Sequence, residues 1–363
     1  MKLGLGFHRG MISRENFRFA RQAGCTHAVV HLVERLREDL PAFADEFCFG
    51  RTRAAGAVWG LEELEGVKRL ANDEGLELEA LENIDPSFWS DILLDGPRKM
   101  QQLEGIKGLI RDMGRLRIPI LGYNFSLAGV WGRTLAPIAR GAALAPAFAE
   151  GHPLQDQPLP SGQLNNIVYD ADARGHIAPV TRAELWSRLI EFLKELAPVA
   201  ENEGVRLAAH PDDPPVPALR QTPRMLHEIR HLDRLLDLVP SRANALEFCA
   251  GTIQEMAGGD LYEAAARFAD RGAIAYVHCR NVVGKVPAYH ETFIDDGDLD
   301  VPRLLGLLHR HGFDGVVIPD HAPQMTCDAP WHAGMAHALG FLRAAIMSLD
   351  RAAVRAGVCG GTG

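Results

Sequence analysis

Four short runs decide the fold: VRLAAH at 205–210, NALEFC at 244–249, IAYVHCR at 274–280 and VVIPD at 316–320. Each is a compact apolar run of strand length, rich in β-branched residues in three of the four. Between them lie stretches with helical periodicity, at 222–239, 260–271 and 301–311. The same alternation extends toward the N-terminus. Strands are predicted at 2–7, 27–31 (HAVVH), 76–81 and 119–123 (PILGY). Ser13 stands at an N-cap position for a helix ending near Gly24, the pattern at 61–74 stops at Gly75, and 97–116 carries a proline in its first turn. Thr181 and Glu184 form a capping box for a helix running through 203. A last helix is expected at 331–349.

Eight strands in order, each followed by helical sequence, predict one α/β domain, a (β/α)8 TIM barrel over 1–350. No G-x-G-x-x-G opens a helix after the first strand, so a dinucleotide-binding sheet lacks its own motif. One stretch, 124–180, breaks the rhythm with Gly, Pro and Ala (LAPIARGAALAPAF, HPLQDQPLPSG). It reads as a long loop inserted after strand four, a lid or binding loop. Residues 351–363 read as a C-terminal tail, frayed at VCGGTG.

The 363 residues are 47% hydrophobic and 23% charged, which fits a globular domain rather than a disordered chain. A formal charge of −9, with Lys and Arg scattered, argues against a nucleic-acid partner. No apolar run approaches the roughly 18 residues of a membrane span, and none at the N-terminus forms an export signal. Six cysteines lie far apart without a C-x-x-C pair, which reads as reduced thiols in a cytoplasmic protein. Symmetric assemblies are common, so a dimer or tetramer is expected.

In such barrels chemistry sits where strands end. His210, Cys249, His278 and Asp320 close, or nearly close, four consecutive strands. Each alone has a plain reading, as a rim histidine, a buried thiol or a turn-forming acid. Neighbouring strands lie about 5 Å apart, so all four can converge on one ion. Two imidazoles, a thiolate and a carboxylate suit Mn²⁺, Fe²⁺ or Zn²⁺ better than Mg²⁺ or Ca²⁺. Asp212, held between prolines in HPDDPP, either faces the pocket as a catalytic acid or lies in a solvated turn. Arg280 is expected to clamp a substrate carboxylate, with Asn281 beside it. His321 is placed as general base or acid. His290 and Glu291 offer groups for substrate hydroxyls, whereas Asp296 and Asp298 read as a turn.

AHPDDPP at 209–215, FCAG at 248–251, VHCRN at 277–281, HE at 290–291 with DGDLD at 296–300, and PDH at 319–321 resemble the motifs of the D-mannonate dehydratase family. YNFSLAGVWGRT at 123–134 is similar to that family's strand-four loop, which makes Tyr123, Asn124 and Arg133 expected substrate contacts. The likeness covers roughly 60–350. It implies a hydro-lyase on the same barrel, turning D-mannonate into 2-keto-3-deoxy-D-gluconate in hexuronate catabolism with a divalent metal, Mn²⁺ first. It also implies His210, Cys249, His278 and Asp320 as metal ligands and His321 as the catalytic histidine. Three stretches depart from the family pattern. Residues 322–345 lack its downstream tyrosine and offer His332 and His337, the strand-four loop lacks the acid before Trp131, and the chain opens LGFHRG. The leading expectation is a dehydratase of a small-molecule sugar acid. A metal-dependent sugar isomerase or epimerase, or a lyase on another sugar, is the alternative, ahead of a non-catalytic carbohydrate-binding barrel.

Overall fold

A computed structural model of the chain describes residues 1–52 and 58–359. Eight strands close into a parallel barrel: β1 (Lys2–His8), β2 (His27–His31), β3 (Glu77–Glu82), β4 (Ile120–Tyr123), β5 (Arg206–Ala209), β6 (Asn244–Cys249), β7 (Ile274–His278) and β8 (Val316–Ile318). They pair in chain order, and β8 returns to β1 with Lys2 opposite Val316. The expected TIM barrel is the observed fold.

Strand pleating sorts the residues into two layers. Phe7, Val30, Leu121, Leu207, Phe248 and Val277 face outward into the main core beneath the helices. Val29, Ala80, Ile120, Ala208, Ala245 and Val316 belong to a separate small cluster inside the barrel. Narrowness there demands small side chains. A Cβ on Gly122 would come within 2.9 Å of both Glu247 Oε2 and Tyr276 Oη, so only glycine leaves room for those two groups. The inward parity runs on to the strand ends, through His8, His31, Glu82, Asn124, His210, Cys249, His278 and Asp320.

Helix boundaries follow the capping chemistry. Ser13 Oγ accepts from Asn16 N at the start of Arg14–Gln22, and the Thr181–Glu184 box opens Arg182–Glu203. A helix at Pro86–Leu94, with Asp85 as N-cap, was not expected from the sequence, and the one expected over 222–239 is confined to Ile229–Leu238. The final helix, Pro330–Cys359, runs through most of the expected tail; the rest of VCGGTG, 360–363, lies outside the described residues. Among the described residues no helix is long and apolar enough to cross a membrane.

The long insertion expected at 124–180 follows β4 and carries strands of its own. Arg133–Ala139 and Ala143–Ala149 form an antiparallel hairpin, and the latter pairs with Ala288–Thr292 of a second hairpin that begins at Asn281–Lys285. Loops after β4 and β7 thus join into one four-stranded sheet. Prolines disguised it. Pro137 sits on an edge strand, where no donor is required, and Pro146 lies beyond the part of its strand that pairs with 288–292.

Buried Arg224 fastens the loops after β4 and β5. It donates to Ser126 Oγ (2.8 Å), Gly129 O (2.6 Å) and Asp213 O (2.8 Å), with its Nε 3.3 Å from Asp212 Oδ1. Removing it takes the counter-charge from buried Asp212 and the donors from buried carbonyls of Gly129 and Asp213. Arg224→Ala is expected to cost about 3–5 kcal/mol, read as a lower urea midpoint; an unchanged midpoint would show that the clamp is dispensable.

Candidate active site

A cavity of about 390 Å³ opens at the barrel mouth and is lined by His210, His278, Asp320 and His321 among others. Donor atoms of His210, Cys249 and His278 all lie within 4.8 Å of one another. Asp320 closes the group, its Oδ1 3.6 Å from His278 Nδ1 and its Oδ2 3.9 Å from Cys249 Sγ. The four strand-end residues singled out in the sequence therefore meet.

Each imidazole is oriented from behind. His210 Nδ1 donates to the Pro211 carbonyl at 2.6 Å, which leaves the Nε2 lone pair for the cavity. His278 Nε2 lies 3.0 Å from Glu82 Oε2 and 3.0 Å from Glu247 Oε1. Its Nδ1 is buried without a hydrogen-bond partner. An unsatisfied buried nitrogen, a thiolate and a carboxylate facing one point are a donor set that fits a divalent cation. Burial alone would push the Cys249 thiol up, but Arg280 and the two imidazoles beside it outweigh it and hold the sulfur at about 5. His278 is raised well above its usual value because Glu82 and Glu247 override its burial.

Arg280 was expected at the substrate, and the structure corrects that. It is 1% exposed and every nitrogen is taken: Nε by Asp320 (2.9 Å), one terminal nitrogen by Glu255, and the other by Asp213 (2.7 Å) and Thr252 (2.9 Å). A fork with no free tine cannot clamp a ligand. Asp212 is corrected likewise. Its Oδ2 accepts from Met225 N and Leu226 N, so it ties down backbone; the adjacent Asp213 lines the cavity. Asn281 is buried and spends its amide on Ile294 O, Leu299 O and Leu299 N. Tyr123 has the wrong parity and packs outward against Phe192, 5.2 Å between centroids. His290 pairs with Val283 and Ala147 in the added sheet and does not line the cavity.

Other expected contacts do reach the site. Asn124 and Arg133 line it. Glu291, expected to hold substrate hydroxyls, does not line the cavity; it is buried behind it and accepts from His321 Nδ1 at 2.9 Å and from Arg133 at 2.7 Å. His321 lines the cavity, its Nε2 3.4 Å from Asp320 Oδ1. Burial would lower its pKa, but the charges of Asp320 and Glu291 raise it. His332 and His337 turn elsewhere, to Asn16 and Asp295. Neither takes the place of the absent tyrosine.

Several site residues escaped the sequence reading. His8 and His31 line the cavity with ring centroids 4.6 Å apart, beside Glu82 and Arg35. Burial pushes His31 down to about 4, so its ring is neutral near pH 7. Inward parity carried to the ends of β1, β2 and β3 would have found His8, His31 and Glu82.

A β/α barrel with carboxylates and imidazoles gathered at the strand ends is the layout of a barrel enzyme. The family model described as D-mannonate dehydratase (UxuA) matches residues 50–144 and 158–354. Mannonate dehydratase of Shouchella clausii is 30% identical over 287 residues, covering 74% of this chain and 79% of the relative; that of Lactococcus lactis subsp. cremoris is 28% identical over the same shares. The solved mannonate dehydratase of Streptococcus suis serotype 2 superposes with a TM-score of 0.78 at 23% identity, over 97% of this chain and 94% of that one. An L-ribulose 3-epimerase shares the fold alone, at TM-score 0.54 and 14% identity. The chain belongs to the D-mannonate dehydratase family and is by class a hydro-lyase. His8, His31 and Arg35 fall outside the matched residues.

Because Glu291 holds His321 above its ordinary value, Glu291→Gln should move the His321 midpoint downward in metal-free protein, followed by NMR of the ring. A raised folded-state pKa stabilises below the unfolded value and is lost as pH rises through the folded one. The variant should therefore lose stability on the acid side of that window, and an unmoved midpoint would remove Glu291 as the cause. Asp213, held down to about 2 by Arg133 and Arg280 against its burial, works in the opposite sense. Its contribution is present above 3.8 and disappears as pH falls toward about 2.

Proposed function

We propose that the chain dehydrates a sugar acid, D-mannonate to 2-keto-3-deoxy-D-gluconate, with a divalent metal held by His210 Nε2, Cys249 Sγ, His278 Nδ1 and Asp320. Mn²⁺ is the first choice, with Fe²⁺ and Zn²⁺ as alternatives. The observation that carries this reading is the joint placement of that donor set and the His321–Glu291 pair at one cavity, in a chain of this family. When bound, the cation supplies Lewis-acid stabilisation for the negative charge that builds on the substrate carboxylate and enolate.

The chain's own residues supply the rest. His321 moves the proton, its Nδ1 fixed on Glu291 so that Nε2 is turned to Asp320 and the cavity. Losing the α-proton and the β-hydroxyl leaves an enol that tautomerises to the 2-keto acid, with water as the other product. The carboxylate falls to Arg133 and Arg35. Arg133 lines the cavity with one terminal nitrogen shared between Asp213 and Glu291. Arg35 has no carboxylate within salt-bridge distance among the described residues and lies over the Phe49 ring at 4.8 Å. It is accessible to water yet surrounded by protein, which pushes its pKa down to about 10. An under-paired guanidinium is a ready partner for an anion.

Metal-loaded protein incubated with D-mannonate should yield a 2-keto-3-deoxy acid. No product from folded, metal-bearing protein under Mn²⁺, Fe²⁺ or Zn²⁺ rejects this substrate. Cys249→Ser should lower bound metal and turnover together, and unchanged occupancy would return the thiol to a packing role. Arg35→Gln should lower kcat/KM by roughly 10- to 100-fold, the worth of a charged hydrogen bond, chiefly through KM. An unaltered KM would exclude Arg35 from the substrate.

A further inference from the structure

We propose a second transition-metal site, separate from the barrel mouth, built from His227, Glu228 and His231 and suited to Zn²⁺. One ligand atom from each of the three lies within 4.8 Å of the other two. None of them lines the barrel-mouth cavity, and the two donor sets share no residue.

Local backbone explains the convergence. Glu228 is the extended N-cap residue of the helix Ile229–Leu238, and His231 stands in its first turn. The chain arrives at the cap from Arg224, and the two imidazole centroids end 4.6 Å apart. The run HEIRH has the H-E-x-x-H spacing, but its first histidine precedes the helix. The two histidines do not share a helical face as in a metallopeptidase, so no peptidase chemistry follows.

Proton placement makes the case for a cation. His227 Nδ1 lies 3.0 Å from the Arg224 carbonyl, which can only accept, so Nδ1 carries the hydrogen and Nε2 presents a lone pair. That lone pair faces Glu228 Oε1 at 3.5 Å. His227 is 5% exposed. His231 Nδ1 is buried with no hydrogen-bond partner. A lone pair of His227, a carboxylate oxygen of Glu228 and the ring of His231, one of whose nitrogens is buried without a partner, lie together, an arrangement a bound cation can complete.

Arg230 forks onto both oxygens of Glu228, Nε to Oε2 at 2.8 Å and a terminal nitrogen to Oε1 at 2.9 Å, but its side chain is 75% exposed, so a cation bound here displaces a solvent-screened partner. His227 and Glu228 line a groove of about 510 Å³ with Pro215 and Gly259, which leaves a fourth position open to water. Two imidazoles, a carboxylate and a water are a known tetrahedral zinc set. The backbone carbonyl behind His227 belongs to Arg224, whose side chain fastens the mouth loops. A metal here would staple the segment that carries that clamp.

The test is zinc binding to full-length Cys249→Ser protein, stripped with chelator and titrated with Zn²⁺, in the presence and absence of His231→Ala. The second substitution should remove one zinc equivalent. His231→Gln serves as an isosteric check if the alanine variant unfolds. Co²⁺ substitution adds an independent readout: this nitrogen–oxygen site should give visible d–d absorption without a thiolate charge-transfer band, and His227→Ala should abolish it. Equal zinc stoichiometry with and without His231, or no Co²⁺ absorption in the Cys249→Ser background, overturns the proposal. Since Cys249 is not among these ligands, failure at the barrel mouth leaves this result unaffected.

Discussion

A buried guanidinium holds the active end of this barrel together. Arg280 leaves β7 and meets Asp213 from the loop after β5, Glu255 and Thr252 from the segment after β6, and Asp320 from the end of β8. Taking one such charge out of water costs several kcal/mol, and the cost is met only when every N–H finds a partner. The network must therefore form as a whole or not at all. Space is arranged for it too: a Cβ at Gly251 would collide with Arg280 Cγ. By pinning Asp320, Arg280 orients a carboxylate toward His278 without touching the cavity. The residue most suggestive of substrate recognition is a support for the residues that line the site.

The same logic extends outward. Arg133 and Arg280 share Asp213 and Glu291, and Glu291 in turn holds His321. Positive and negative groups alternate from the barrel rim into the four-stranded sheet, so that sheet is the platform that sets His321. Behind His278, Glu82 and Glu247 occupy the narrow barrel interior that Gly122 leaves open. Ionised Glu82, with the Glu247 carboxyl beside it, raises the basicity of the ring and fixes which nitrogen faces the mouth.

The cavity has two halves of different character. β5 through β8 bring the imidazoles, thiolate and carboxylate, within the part of the chain that matches the family. β1 and β2, with the segment after β2, bring His8, His31 and Arg35 from residues the family model does not cover. Binding sites on barrels change most readily by their loops, so a difference in which sugar acid is accepted is placed most naturally on this second wall.

Strand spacing along the chain determined the eight-stave barrel, because short continuous apolar runs alternating with capped helices admit few other packings. It also brought His210, Cys249, His278 and Asp320 together at the mouth, since they close or nearly close successive strands and neighbouring strands in such a barrel are neighbours in space. Parity, read one residue further, reaches His31 and Glu82 and rejects Tyr123. What the linear chain could not decide was the partner of each charge past the strand ends. Whether Arg280 points at substrate or at Glu255, and whether Asp212 or Asp213 faces the cavity, depends on loops folding over one another. The pairing of 143–149 with 288–292 joins segments some 140 residues apart, and no local propensity encodes it. Long-range contacts and the demand that every buried charge be matched settled those choices, and both exist only in the folded molecule.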